Sequence, residues 1–318
     1  MTGIRIALAG NPNVGKTTLF NALTGSRQHV GNWPGVTVEK KTGQINRNGH
    51  AIEVIDLPGT YSLTAYSADE VVARDYILEE KPDVVVQVVD ATNLERNLYL
   101  TTQIAELGVP VVIALNMADA AEAGGCAIDR ERLSALLAIP VVRTVGIRGE
   151  GLDDLLDAAV REAETPPHHE HTVGYRNDVE AMIASLVGVL EADKDLAERY
   201  PLRWLAARLL EGDENALAKV RESPVSPRVQ ALLSTIDPDE CEAAMADRRY
   251  DVIAAVLPQV RTAGARGMNV SEMVDRVVTD RYLGIPIFLA LMWGTFELTF
   301  AVAAPFVALI EAGLARLS

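Results

Sequence analysis

Cysteine is almost absent from this chain of 318 residues. Cys126 and Cys241 stand far apart, with no CxxC pair and no metal-ligand spacing. That excludes a disulfide framework and a thiolate metal site, and leaves two reduced thiols. Positive charge is also short: 29 Lys and Arg face 44 Asp and Glu, for a net charge of −15. A field of that sign repels a polyanion, so nucleic acid is not expected as a partner. No internal repeat is present. The opening residues do not read as a secretion signal, because Met1–Gly10 carries Arg5 and runs straight into a glycine-rich loop, as a first strand does. Between Leu283 and Ile310 charge of either sign is missing except at Glu297. A helix over that stretch would be about 40 Å long, against roughly 30 Å of bilayer hydrocarbon. A transmembrane helix over 283–312 is therefore expected, and Pro286 and Pro305 are tolerable there. A buried core helix is the alternative.

What is present is organised in two styles. Through about residue 165 short β-branched runs alternate with helical patterns. Ile4–Ala9, Asp83–Val89, Val109–Leu115 and Pro140–Thr144 read as buried parallel strands. Val38–Asn46 and Ala51–Ile55 flank the Asn48-Gly49 turn of a hairpin. Helices are predicted over Thr17–Leu23, Asp69–Glu80, Glu95–Leu107, Asp129–Leu137 and Leu152–Glu164. The fold class is α/β, a mostly parallel sheet with helices on both faces and one antiparallel strand. The breaker-rich run Thr165–His171 marks a boundary. Beyond it, 172–277 lacks β-branched runs and repeats apolar residues three and four apart, as in Met182-Ile183-Leu186-Leu190, so a small all-α bundle is predicted. His168, His169 and His171 beside Glu170 form a candidate metal cluster, with solvated linker histidines as the plainer reading.

Gly10-Asn11-Pro12-Asn13-Val14-Gly15-Lys16-Thr17 matches G-x-x-x-x-G-K-[ST] between a predicted strand and a predicted helix. The two glycines let backbone N–H groups close around phosphates, and the helix start, including Thr18, adds its positive end. Lys16 puts a point charge on the β/γ oxygens, and the Thr17 hydroxyl is a Mg²⁺ ligand. Asp56-Leu57-Pro58-Gly59 follows the second hairpin strand, where Asp56 would hold Mg²⁺ and the Gly59 N–H would face the γ-phosphate. Asn116-Met117-Ala118-Asp119 follows another strand and matches N-x-x-D. The Asp119 carboxylate accepts two hydrogen bonds from guanine N1–H and N2–H₂, groups that adenine lacks or reverses, which selects GTP and GDP over ATP. Met117 stands where a lysine commonly packs over the base, so looser binding is expected. Thr144-Val145-Gly146 is the candidate for the last base-contacting loop. Within Gly31–Thr37, read as mobile, Gly35 and Val36 lead to Thr37, the candidate switch threonine for Mg²⁺ and the γ-phosphate. Thr24, Ser26 and Thr42 compete for that role with less suitable spacing.

These motifs together, with Gly31-Asn32-Trp33-Pro34-Gly35-Val36-Thr37-Val38-Glu39, Asp56-Leu57-Pro58-Gly59-Thr60-Tyr61-Ser62-Leu63 and Leu283-Gly284-Ile285-Pro286-Ile287-Phe288, resemble the ferrous iron transport protein B family over nearly the whole chain. The resemblance implies a cytosolic G domain (1–165), a helical domain similar to a guanine-nucleotide dissociation inhibitor (172–277), and the first helix of an Fe²⁺ permease (283–312). The remainder of the permease would lie in the same or another chain. It implies an inner cell membrane location with 1–280 on the cytoplasmic side, which Arg276 and Arg281 before the apolar stretch also favour. A homo-oligomer is compatible with it.

The resemblance also bears on hydrolysis. Ras-type enzymes orient water with a glutamine after the DxxG glycine, and here that residue is Thr60. Related GTPases with asparagine at the fourth loop position use K⁺, and Asn13 matches. The implied activity is slow, K⁺-stimulated GTP hydrolysis, with Lys16, Thr37, Asn13 and Gly59 as the catalytic set and carbonyls near Gly31–Trp33 completing the K⁺ site. A soluble GTPase acting on ribosome or tRNA shares the nucleotide motifs but not the acidic charge or the apolar C-terminal stretch. A GTP switch that moves no metal is the third reading, since one membrane helix cannot enclose an ion path. Glu297 is assigned no role.

Overall fold

The computed structural model describes residues 3–25, 28–33, 36–47, 49–64, 67–165, 173–263, 278 and 284–314, with side chains as far as Phe300. Two compact units result, Met1–Gly264 and Ala265–Ser318.

The first unit is built on a seven-stranded sheet. Its strands are β1 (Gly3–Gly10), β2 (Gln28–Asn32), β3 (Glu39–Arg47), β4 (His50–Asp56), β5 (Val84–Asp90), β6 (Val111–Asn116) and, after a short β7 (Cys126–Ile128) that lies elsewhere, β8 (Val141–Arg143), in the order β2-β3-β4-β1-β5-β6-β8. Only β3 runs against its neighbours, and β1, β4, β5, β6 and β8 are parallel. The central strands are continuous apolar runs because both faces are covered. Side-chain alternation sends Ile6, Leu8, Val54 and Val86 to one face, against Phe20 of α1 (Lys16–Thr24) and Leu155 and Ala159 of α6 (Leu152–Glu164). Ala7, Ile55, Val85 and Ile113 go to the other face, against Ile77, Leu98 and Ile104.

That second face holds α2 (Ala68–Asp75) and α3 (Leu94–Glu106). Ser67 opens α2 with a capping box closed by Glu70. The helix predicted over Asp69–Glu80 does not stay α throughout: Tyr76–Glu80 is wound as a π turn, ending at Lys81 with φ 46°. Further along the chain come α4 (Ala118–Ala123) and α5 (Arg130–Leu137), and then a helical bundle. The bundle comprises α7 (Asn177–Leu190), α8 (Lys194–Arg199), α9 (Leu202–Leu210), α10 (Glu214–Arg221), α11 (Ser226–Leu233) and α12 (Pro238–Val260). Its apolar residues, Ile183, Leu186, Trp204, Leu205, Met245 and Ile253 among them, share one core cluster with the α3 face of the sheet.

Charge is buried at this junction as well. Glu106 lies 3.4 Å from Arg208 and 3.1 Å from Arg249, and Glu211 takes the same two guanidinium groups at 2.6 and 3.0 Å, all four side chains being at most 5% exposed. The Tyr175 hydroxyl also donates to Glu106. Burial, reinforced by the Glu106 charge, pushes the Tyr175 phenol well above its ordinary range. Burial works to lower Arg249, and the facing Glu106 and Glu211 carboxylates more than offset it.

Two features depart from the sequence reading. Gly31–Thr37 was expected to be mobile, yet β2 pairs with β3 from Gln28↔Gly43 to Asn32↔Glu39, and Trp33 is buried edge-on against Tyr76 with Lys40 Nζ 4.6 Å above its ring. Strand pairing and aromatic burial hold Gly31, Asn32 and Trp33, the first three residues of that segment. The all-α expectation over 172–277 is also incomplete, since β9 (Arg261–Ala263) follows α12 and pairs antiparallel with β7. His168, His169, His171, Arg276 and Arg281 lie outside the described residues.

Among the described residues of the second unit, a helix runs from Gly284 to Leu314. Among the described residues no helix is long and apolar enough to cross a membrane. The transmembrane helix expected over 283–312 is therefore not shown, although a helix runs over most of that stretch.

Candidate functional site

The sequence motifs lie at the carboxyl ends of β1, β4 and β6 and in the loop after β8, which parallel pairing brings to one edge of the sheet. A groove of about 890 Å³ runs past Arg5, Gln44 and Glu53 at the opposite strand ends and holds none of the motif residues. Chemistry, not volume, locates the candidate site.

The loop after β1 needs its glycines for space. A Cβ on Gly10 would stand 2.7 Å from the Val88 carbonyl oxygen. Gly15 is left-handed, with φ 84°, and a Cβ there would meet Asn116 Nδ2 at 2.5 Å. Asn13 is left-handed too, with φ 67°, and exposed. Thr17 and Thr18 are exposed on the first turn of α1, while Val14 is buried beneath the loop. Lys16 begins α1, and its ammonium donates to Asp56 Oδ1 and to the Leu57 carbonyl oxygen. The side chains are 10% and 7% exposed, so the lysine and the carboxylate form a nearly buried pair at the loop mouth. The backbone beyond is fixed to the same strand: Leu57 N donates to Leu8 O and Thr60 N to Gly10 O, at 3.0 and 3.2 Å. Gly59 passes close to Pro12, where a Cβ would lie 3.3 Å from its Cα. Thr60 itself is buried.

At the other end of the crevice Asn116 is a junction. Its Nδ2 donates to Val14 O at 2.8 Å, and its Oδ1 accepts from Gly146 N at 3.0 Å and Thr144 Oγ1 at 3.5 Å. One buried amide therefore ties the phosphate-type loop to the Thr144–Gly146 loop, and Val145 and Gly146 are both buried beside it. Met117 takes φ 57°, which turns the chain so that Asp119 falls in the first turn of α4. The Asp119 carboxylate is 24% exposed and lies 3.3 Å from Arg148. Arg143 grips Glu122 of the same helix with two bonds of 3.0 and 3.1 Å and holds that carboxyl below its ordinary range.

Of the switch candidates, Val36 is half-buried against the core and Thr37 is exposed in the bend before β3. Gly35 lies outside the described residues. Trp33 N donates to Val38 O at 2.9 Å. Thr24 is buried on its own helix, bonded to Phe20 O, which removes it from contention; Thr42 is paired within the sheet, and Ser26 lies outside the described residues. The sequence reading missed Trp33 as an anchor and Arg148 as the partner of Asp119. A lone tryptophan in a glycine-proline segment is a signal for the first; nothing local marks the second.

Comparison with known proteins agrees with this arrangement. The family model described as "Ferrous iron transport protein B" matches residues 4–159, and that described as "FeoB cytosolic helical domain" matches 175–262. The Fe(2+) transporter FeoB of Escherichia coli K12 is 42% identical over 98% of this chain and 40% of its own length. The counterpart from Methanocaldococcus jannaschii is also 42% identical, over 47% of its own length. The chain thus spans less than half the length of these curated relatives. Among solved structures, the apo cytosolic domain of the T. maritima FeoB iron transporter aligns with a TM-score of 0.74 at 39% identity, covering 82% of this chain and all of that one. A GDP-bound S. thermophilus FeoB G-domain aligns with a TM-score of 0.71 at 39% identity, covering 81% of this chain and all of that one. This chain belongs to the ferrous iron transport protein B family.

Proposed function

We propose that this chain is the GTP-binding and GTP-hydrolysing cytoplasmic part of a ferrous iron transporter, and that its nucleotide state regulates or gates Fe²⁺ passage. One observation carries the reading: a lysine–aspartate pair at a glycine-walled loop and a carboxylate at the head of α4 lie in one crevice, and Asn116 joins the two ends. In this reading 1–165 is the G domain, 172–277 the helical domain that acts on it, and 283–312 the entry into the membrane. An Fe²⁺ permease in the same or another chain completes the transporter, and the inner cell membrane is its location.

Each residue has a task. The backbone N–H groups from Gly10 to Thr18 surround the phosphates, and Lys16 moves from Asp56 to the β/γ oxygens. Asp119 accepts the guanine edge, Met117 lies beside it, and Val145 and Gly146 close the base loop. The Thr17 and Thr37 hydroxyls and the Asp56 carboxylate are hard oxygen donors, the set that suits Mg²⁺, which when bound neutralises charge on the phosphates. Leu57 and Pro58 carry the backbone to Gly59, whose N–H faces the γ-phosphate. Buried Thr60 supplies no water-orienting amide, which favours an alternative source of stabilisation. The exposed amide oxygen of Asn13 suits K⁺, the cation proposed to take the part of an arginine finger in this slow hydrolysis.

The membrane end rests on the C-terminal helix. Ile285, Phe288, Leu291, Trp293, Leu298 and Phe300 are all more than half exposed on it. Apolar groups on every side need lipid or protein cover. Thr295 and Thr299 bond their hydroxyls to the carbonyls one turn back, so they bring no unpaired donor.

The decisive experiment is GTP turnover and iron uptake in the complete transporter. Lys16→Ala should abolish both, and Asp119→Asn should remove GTP-dependent uptake. Uptake that survives while turnover is lost would overturn the regulatory reading. Turnover that is equal in Na⁺ and K⁺, or unchanged in Asn13→Ala, would overturn the K⁺ assignment.

A further inference from the structure

The carboxylate at the head of α4 already has a partner. Arg148 Nη2 lies 3.3 Å from Asp119 Oδ2, while Nη1 of the same guanidinium is 3.7 Å from Glu150 Oε1. The loop that carries this arginine is rigid. Val145 and Glu150 exchange backbone bonds of 3.1 and 3.3 Å, and Arg148 N also donates to Val145 O at 2.9 Å. Gly151 holds φ 77°, and a Cβ there would collide with the Arg143 carbonyl oxygen at 2.1 Å. Arg143, at the end of β8, ties the strand to α4 through Glu122 and also reaches Glu150 Oε2 at 3.4 Å. The loop therefore keeps its place whether or not Arg148 holds Asp119.

We propose that Arg148 sets the affinity of the base site, as a counter-ion that guanine must displace from Asp119. The inference rests on the reading of Asp119 as the guanine acceptor. A guanidinium presents two N–H donors in a planar fork to a carboxylate. The N1–H and N2–H₂ edge of guanine is such a fork, whereas Arg148 meets Asp119 through one nitrogen at Oδ2 and turns the other toward Glu150, so base and arginine compete for Oδ2. On release, Arg148 keeps its contact with Glu150, a carboxylate it shares with Arg143, so no charge is stranded. Adenine offers no such fork. It has nothing to replace the arginine with, and the Asp119–Arg148 pair stands against it. Arg148 thus loosens every guanine nucleotide slightly, while the choice of base stays with Asp119.

The pair is partly exposed, at 58% and 24%, and exposed pairs contribute modestly. Removing it should tighten GDP by about two- to fivefold. The test is calorimetric binding of GDP, ADP and XDP to the whole chain, with ionic strength set by choline chloride. Arg148→Gln should bind GDP more tightly than the parent at low ionic strength, and the gap should close as salt screens the pair. Glu150→Gln should bind GDP more weakly, because the displaced arginine loses its resting place. Asp119→Asn should move the preference from GDP to XDP, and adding Arg148→Gln to it should change nothing further. If Asp119→Asn switches the base but Arg148→Gln leaves GDP unchanged or weaker, the inference falls and the base-site reading stands. If Asp119→Asn leaves the preference with GDP, the base-site reading falls and takes the inference with it.

Discussion

Gly15 is constrained twice over, by a left-handed backbone and by the amide of Asn116 2.5 Å from where a Cβ would sit. Gly15→Ala should therefore lower stability by about 1–3 kcal/mol and abolish the heat of GDP binding, checked by urea unfolding and calorimetry. Asn116→Ala acts differently. It leaves Val14 O and Gly146 N buried without their partner, at a cost of about 1–3 kcal/mol, and frees two loops together. GDP binding should weaken more than in Asn116→Asp, which keeps an acceptor for Gly146 N. At this scale the phosphate-type loop was legible because its residues are contiguous and each has a local reason to be glycine, lysine or threonine. The work of Asn116 was not. Its partners stand 102 and 30 residues away, and only the register of β1, β6 and β8 brings them within reach.

Elements were legible where pattern and length agreed. The central strands announced themselves as β-branched runs because both faces are buried. The three missed strands are short: β2 has five residues and β7 and β9 three each, with no apolar alternation to mark them. Partner geometry, not propensity, makes them strands. The charged cluster among α3, α9 and α12 was equally hidden, since a helical pattern shows which positions are apolar but not which charges will face each other. Glu106→Gln should cost about 3–5 kcal/mol by leaving two buried arginines to share Glu211. Tyr175 gives the cluster a pH signature. Its folded pKa is raised, so its contribution is complete below the ordinary tyrosine value of about 10 and is lost as pH rises beyond it, where the unfolded phenol ionises and the folded one does not. Tyr175→Phe should flatten the fall in unfolding free energy between pH 9 and 11, measured by denaturant titration at each pH.

The whole molecule adds a connection that neither motif nor periodicity contains. The chain beyond Asp56–Gly59 enters α2, and Leu63 N on the way donates to Gln103 of α3 at 2.7 Å. Arg74 of α2 is fully buried and donates to Asp213, the N-cap of α10, at 3.0 Å. Beyond it Lys219 reaches Glu79 at 3.2 Å, and Lys81 reaches the Glu198 carbonyl at 2.8 Å. The helical bundle thus grips the segment that follows the DxxG loop. A breaker-rich linker separates sheet and bundle in the sequence, and one apolar core and this row of polar contacts join them in space. Breaking a buried pair from one side strands a charge, so Arg74→Met should destabilise by about 3–5 kcal/mol. Asp213→Asn retains the cap and removes only the charge. Combined, the two should cost less than their sum, which a double-mutant cycle in urea measures. If the bundle governs the nucleotide through this contact, GDP release should change in Arg74→Met and be partly restored in the double variant. An unchanged release rate alongside lowered stability would make the contact a structural joint alone.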